Sequence, residues 1–97
     1  MLTLEQKKEI FDSYGLKETR ISNDRFNFEF LEGRQRRKVL ARELHQSGNG
    51  YVLGVYIPSE IVEKYGYRVD SRGWISIKSF TKEELKAVIE ESIRSMS

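Results

Sequence analysis

The spacing of apolar and polar residues changes several times along the chain, and each change predicts an element boundary. From Thr3 to Tyr14 the apolar positions Leu4, Ile10, Phe11 and Tyr14 recur at helical spacing, which predicts a short amphipathic helix. Thr3 followed by Gln6 has capping-box spacing, and Gly15 supplies a stop. Glu5, Lys7, Lys8 and Glu9 form its expected solvated face.

The period then falls to two. Phe26, Phe28 and Phe30 alternate with Asn27 and Glu29, which predicts a hairpin of Thr19–Ser22 and Arg25–Leu31 turning at Asn23-Asp24. Closing that turn with Ser22 opposite Arg25 sets Ile21 against Phe26, Thr19 against Phe28 and Glu18 against Glu29. A row of rings can stack nucleic-acid bases. Alternation of this kind is also how a one-sided antiparallel sheet builds its core, and the Phe row is expected to be core.

Glu32-Gly33 makes the next turn, and Arg34-Gln35-Arg36-Arg37-Lys38 leads into a strand that continues as Val39 to His45. Tyr51 to Ile57 is an uncharged run and the most apolar strand candidate in the chain. Gly48-Asn49 is the expected two-residue connection. Pairing Ser47 with Gly50 sets Leu44 against Leu53, Arg42 against Val55 and Leu40 against Ile57. On the other face it sets Ala41 against Tyr56, Glu43 against Gly54 and His45 against Val52. A glycine inside a strand points to a bulge or a close approach at Gly54.

Pro58 ends this run and fits the first turn of a helix over Pro58 to Tyr65, closed by Gly66. Tyr67–Val69 and Trp74–Ser79 read as a last hairpin, with Asp70 and Gly73 at the first and fourth positions of a type I turn. A final helix starts at Thr81, which has a capping box with Glu84, and carries the stripe Leu85, Val88, Ile89, Ile93 and Met96. The expected fold is α+β in a single domain spanning residues 1–97. An antiparallel sheet of hairpins joins three helices in the order α-β-β-β-β-α-β-β-α. The helices lie over a face lined by Phe26, Phe28, Phe30, Leu40, Leu44, Leu53, Val55 and Ile57.

Composition narrows the function. The chain has 97 residues, 38% hydrophobic and 33% charged, as expected of a folded protein rather than a disordered one. No apolar run approaches the roughly 20 residues that cross a bilayer, and the polar start Met-Leu-Thr-Leu-Glu-Gln-Lys-Lys is not that of a signal peptide. A cytoplasmic protein without membrane association is expected. The chain has no cysteine and one histidine, His45, so neither a zinc site nor a His-centred triad has its residues. Gly48-Asn49-Gly50 lacks the Lys-Ser/Thr of a phosphate loop. Glu18 facing Glu29 is a carboxylate pair if that register holds, and a slipped register or solvation is the expected relief of their like charge. No cofactor, metal or catalytic residue is expected, and the protein is expected not to be an enzyme.

The net charge of +2 conceals a local excess. Residues 17–59 carry eight cations against five anions, and the excess is concentrated at Arg34, Arg36, Arg37 and Lys38, with Arg42 beyond. Cations grouped at a strand entry can neutralise phosphates and hold a β-ribbon on DNA or RNA. They can also keep a sheet edge from accepting foreign strands.

A resemblance bears on this choice. Leu44-His45-Gln46-Ser47-Gly48-Asn49, a short strand, then Ile57-Pro58-Ser59-Glu60-Ile61-Val62-Glu63-Lys64-Tyr65-Gly66, Asp70 and Trp74-Ile75-Ser76-Ile77 resemble the AbrB/MazE-type swapped-hairpin family. The likeness covers about residues 36–80. It implies a homodimer with interleaved strands, serving as a prokaryotic or phage DNA-binding regulator or antitoxin. It further implies DNA contact through Arg36, Lys38 and Arg42, with Arg37 close by. The function expected is thus a small DNA-binding or regulatory protein using Arg34, Arg36, Arg37, Lys38 and Arg42. The alternative is a protein-interaction module, inhibitor or immunity-type, in which Trp74, Tyr51, Tyr56 and Tyr67 are exposed anchors.

Overall fold

The computed structural model describes residues 2–21 and 24–97. Its elements are α1 (Leu4–Asp12), β1 (Lys17–Ile21), β2 (Arg25–Glu29), β3 (Val39–Leu44), β4 (Tyr51–Leu53), α2 (Ser59–Tyr65), β5 (Trp74–Ser76) and α3 (Lys82–Met96). The five strands form one antiparallel sheet in chain order, and the class is α+β. Both capping boxes form. Thr3 and Gln6 close α1, and Thr81 and Glu84 close α3, each side chain bonding the other residue's backbone N–H. Gly66 ends α2 at φ 69, a conformation open to glycine without strain.

Phe28, Ala41, Val52 and Ile75 lie side by side across β2, β3, β4 and β5, and none is more than 1% exposed. Phe11 of α1 stacks on Phe28 with ring centres 4.9 Å apart. Helix α3 buries Leu85, Val88, Ile89 and Met96, and its Ser92 hydroxyl donates to the Leu53 carbonyl at 2.7 Å. The Tyr14 hydroxyl donates to Glu90 at 2.7 Å and ties α1 to α3. Phe26 and Phe30 are half-buried against the same core. Lys7, expected on the solvated face of α1, is 1% exposed instead. Its ammonium donates to the Gly48 carbonyl at 2.8 Å, and burial lowers its pKa.

The register of the first hairpin differs from expectation by one residue. Ser22 and Asn23 lie outside the described residues, but Ile21 faces Arg25, Thr19 faces Asn27 and Glu18 faces Phe28. The last pair, Ile21↔Arg25, leaves three residues between the paired ends where two were expected, Asp24 among them at φ 56, and the longer loop slips the ladder by one. Glu18 and Glu29 are therefore not opposed, the slipped register relieving that pair as expected. Glu18 instead lies 3.5 Å from the Lys8 ammonium, and Glu29 accepts from the Thr19 hydroxyl.

Strand β3 carries a second irregularity. Its pairing with β2 steps from Phe28↔Ala41 to Phe26↔Leu44, three residues against two, which is a bulge. Glu43 sits there at φ 57, and its N–H donates to the Asn27 side chain at 3.0 Å. Strands β3 and β4 pair as Ala41↔Val52 and Arg42↔Tyr51, four residues away from the expected register. The Gly48 N–H donates to the His45 carbonyl, so the turn tip is Gln46-Ser47 rather than Gly48-Asn49.

Strand β4 stops at Leu53, one step before the Gly54 N–H donates to the Gly73 carbonyl, because the chain turns from Gly54 to Ile57, where the Ile57 N–H donates to the Gly54 carbonyl at 3.1 Å. That turn leaves Val55 47% exposed, outside the core where it was expected, and returns Ile57 to the interior. The expected Tyr67–Val69 strand is reduced to one pair, Val69↔Ile75, while the Asp70–Gly73 turn forms with a 3.0 Å hydrogen bond.

Candidate nucleic-acid interface

The basic run does not form a strand. Residues 30–38 are a loop between β2 and β3, held at its start by an Arg34 N–H bond to the Met96 carbonyl at 2.7 Å. The Lys38 ammonium donates to the Gly33 carbonyl within the same loop. At the far end, the Arg37 guanidinium donates to the Arg72 carbonyl at 3.1 Å and draws the loop onto the Asp70–Gly73 turn.

These ties bring three of the five expected residues together. Arg37, Lys38 and Arg42 line a cleft of about 590 Å³ with Val39, Ser71, Arg72 and Trp74, and no carboxylate is among the lining residues. Arg34 and Arg36 are exposed on the same loop but do not line the cleft. Among the described residues, Arg34, Arg36, Arg37 and Arg72 have no carboxylate at ion-pair distance. Arg42 is the exception. It pairs with Glu43 at 2.9 Å, lies over the Trp74 and Tyr51 rings at 5.0 and 5.9 Å, and keeps its buried Nε without a partner. Its charge is held and partly neutralised, so Arg37 and Arg72 are the more available cations.

Arg72 was not among the residues expected from sequence. Topology places it there. Strands β3 and β5 both run antiparallel to β4, so their starting ends lie at the same side of the sheet. The segments preceding them, residues 36–38 and 71–73, therefore converge. Asp70 fixes the second segment by accepting the Trp74 and Arg72 N–H groups at 2.9 and 2.8 Å. Those bonds, with that to Trp74 the largest cause, hold its carboxyl below the ordinary value, and the Arg42 charge adds to them.

The four expected aromatic anchors do not form one exposed surface. Trp74 is only 8% exposed, because Arg42 and the cleft wall cover it. Tyr51 is half-buried under Arg42, and Tyr56 is half-buried against the core. Tyr67 belongs to a different feature, a stack with Tyr65 at 5.1 Å and Phe80 at 6.4 Å. That stack lines a second cavity of about 640 Å³ beside Arg68, Glu83 and Glu84. The Tyr67 hydroxyl is buried without a partner, and its pKa is pushed up to about 12, mainly by burial and then by Tyr65, Glu91 and Glu84.

No known family model, curated protein or solved structure matches this chain.

Proposed function

We propose that the protein is a small, non-enzymatic DNA-binding regulator acting in the cytoplasm, and that the cleft between residues 36–38 and 71–73 grips the phosphate backbone. One observation carries the reading: four cations, Arg37, Lys38, Arg42 and Arg72, surround one cleft whose lining has no carboxylate. A phosphate there exchanges condensed counterions for guanidinium contacts, which favours binding at low salt. The cleft's indole is covered, so it offers no stacking surface, and the contacts are to backbone rather than bases. The resemblance of residues 36–80 to swapped-hairpin regulators is in keeping with this reading.

The test is anisotropy of a labelled duplex titrated with protein across a salt series. Arg37→Glu with Arg72→Glu removes binding while thermal unfolding stays unchanged. A control pair at exposed positions that do not line the cleft, Lys78→Glu with Lys86→Glu, retains it. Equal loss in both variants means only net charge matters, and the cleft has no role.

A second reading, capture of a protein partner, is favoured by the Tyr65–Tyr67–Phe80 stack, whose Tyr65 is 43% exposed beside a sizeable cavity. It shifts the anchor from Trp74 to Tyr65. Tyr65→Ala then abolishes a salt-insensitive complex and leaves duplex binding intact.

A further inference from the structure

Strand β1 is one end of the sheet. Its residues Lys17–Ile21 pair with β2 on one side, and among the described residues no backbone group pairs with their other side. An open row of N–H and C=O groups accepts another strand unless its side chains prevent it. Lys17 and Arg20 are cations of the kind that deter a foreign strand. The sequence Lys-Glu-Thr-Arg-Ile treats a copy of itself differently.

Laid antiparallel on its own copy about Thr19, β1 overlaps along all five residues. Thr19 then faces Thr19, Glu18 faces Arg20 and Arg20 faces Glu18, while Lys17 faces Ile21 at both ends. Opposite charges directly across an antiparallel ladder stabilise it, and a Thr–Thr pair is also favourable. A slip by two residues in either sense sets Glu18 against Glu18 or Arg20 against Arg20. A slip by one residue in one sense sets Lys17 against Arg20. The fully overlapping register is thus also the one matched in charge. Both side chains are within reach of solvent. Glu18 is 34% exposed in its contact with Lys8, and Arg20 is 69% exposed in its pair with Asp24, so the Arg20–Asp24 pair can exchange without uncovering a buried charge.

We propose that two copies of the chain join through their β1 strands about a two-fold axis at Thr19, continuing the sheet from one molecule into the other. The β3–β4 hairpin stays closed within each chain, so this pairing is separate from strand exchange. A five-residue edge is a small contact compared with stable interfaces, and the dimer forms reversibly with concentration.

The chain contains no cysteine, which makes a direct test available. Thr19→Cys places two thiols across the axis, where directly opposed strand residues have Cα atoms about 4.5–5.5 Å apart, within disulfide range. Under mild oxidation this variant forms a covalent dimer, whereas Lys86→Cys, exposed on α3, does so only at the rate of random collision. Adding Arg20→Glu to Thr19→Cys slows cross-linking by about tenfold, because two symmetry-related pairs become like-charged. Adding Glu18→Arg as well restores it, and circular dichroism confirms that each variant is folded. Cross-linking of Thr19→Cys no faster than Lys86→Cys overturns the proposal. So does indifference to the charge reversal.

Discussion

The Arg42 guanidinium lies 5.0 Å from the centre of the Trp74 ring, reaching from β3 to β5 across the strand between them. The indole faces inward and the charge faces out, so the ring supports the cleft rather than presenting itself to a partner. A cation over an indole face contributes roughly 0.5–2 kcal/mol, depending on how dry it is.

Trp74→Ala is therefore a stability variant. Removing a large, nearly buried ring costs about 3 kcal/mol, from lost transfer energy and the cavity left behind. Urea unfolding followed by circular dichroism measures it. A change within about 0.5 kcal/mol, the usual size of a surface substitution, contradicts the inward placement.

Gly54 is fixed by its neighbour. A Cβ built there stands 2.6 Å from Ile75 Cδ1 and 2.9 Å from Cγ1, closer than packed carbons approach. Gly54→Ala is expected to cost about 2 kcal/mol through overpacking. Ile75→Val removes the Cδ1 atom. In the Gly54→Ala background it costs less than it does alone, which is the sign of direct coupling in a double-mutant cycle.

Tyr67→Phe goes the other way. The hydroxyl is buried with no hydrogen-bond partner, so folding strips it of water without compensation. Removing it is expected to stabilise the fold by about 1 kcal/mol, and chemical unfolding of the variant decides the sign.

Tyr14 gives the chain a pH response. Its phenol is pushed from 10.0 up to about 12, first by burial and then by its hydrogen bond to Glu90 and that carboxylate's charge. A folded-state pKa above the unfolded one means the native state holds its proton more tightly. The associated stability is fully present below pH 10 and is lost as pH rises through about 12. Tyr14→Phe flattens this alkaline limb in part, and the double variant with Tyr67→Phe flattens it further. Melting temperatures measured from pH 8 upward trace the limb.

The helices were legible in the sequence because their signals are local. Thr3 with Gln6, Thr81 with Glu84, and Gly66 each act within a few residues, and each took the expected cap. Strand registers were less legible, since they depend on single residues in unusual conformations. Asp24 at φ 56 lies in the turn the sequence marked, but the loop's length was not marked, and Glu43 at φ 57 is a residue that nothing in the amphipathic pattern singles out. The slip between β3 and β4 was even, but Leu44 stayed buried through the bulge at Glu43, which sets it on the same face as Ala41, opposite Phe26 and Phe28 of β2. The slip between β1 and β2 was odd and dissolved a carboxylate pair. Three of the five expected basic residues converge on one cleft, whereas Arg72 required knowing that β3 and β5 start at the same end of the sheet.

The bond between the Arg34 N–H and the Met96 carbonyl has a temporal consequence. During translation the basic loop leaves the ribosome well before the segment that anchors it, and the bond cannot close until residue 96 has been made and α3 has wound. The cations are therefore synthesised early and positioned late. A nascent chain carrying residues 34–38 without α3 presents them on an untethered segment, and the cleft takes shape only once α3 has folded against the loop.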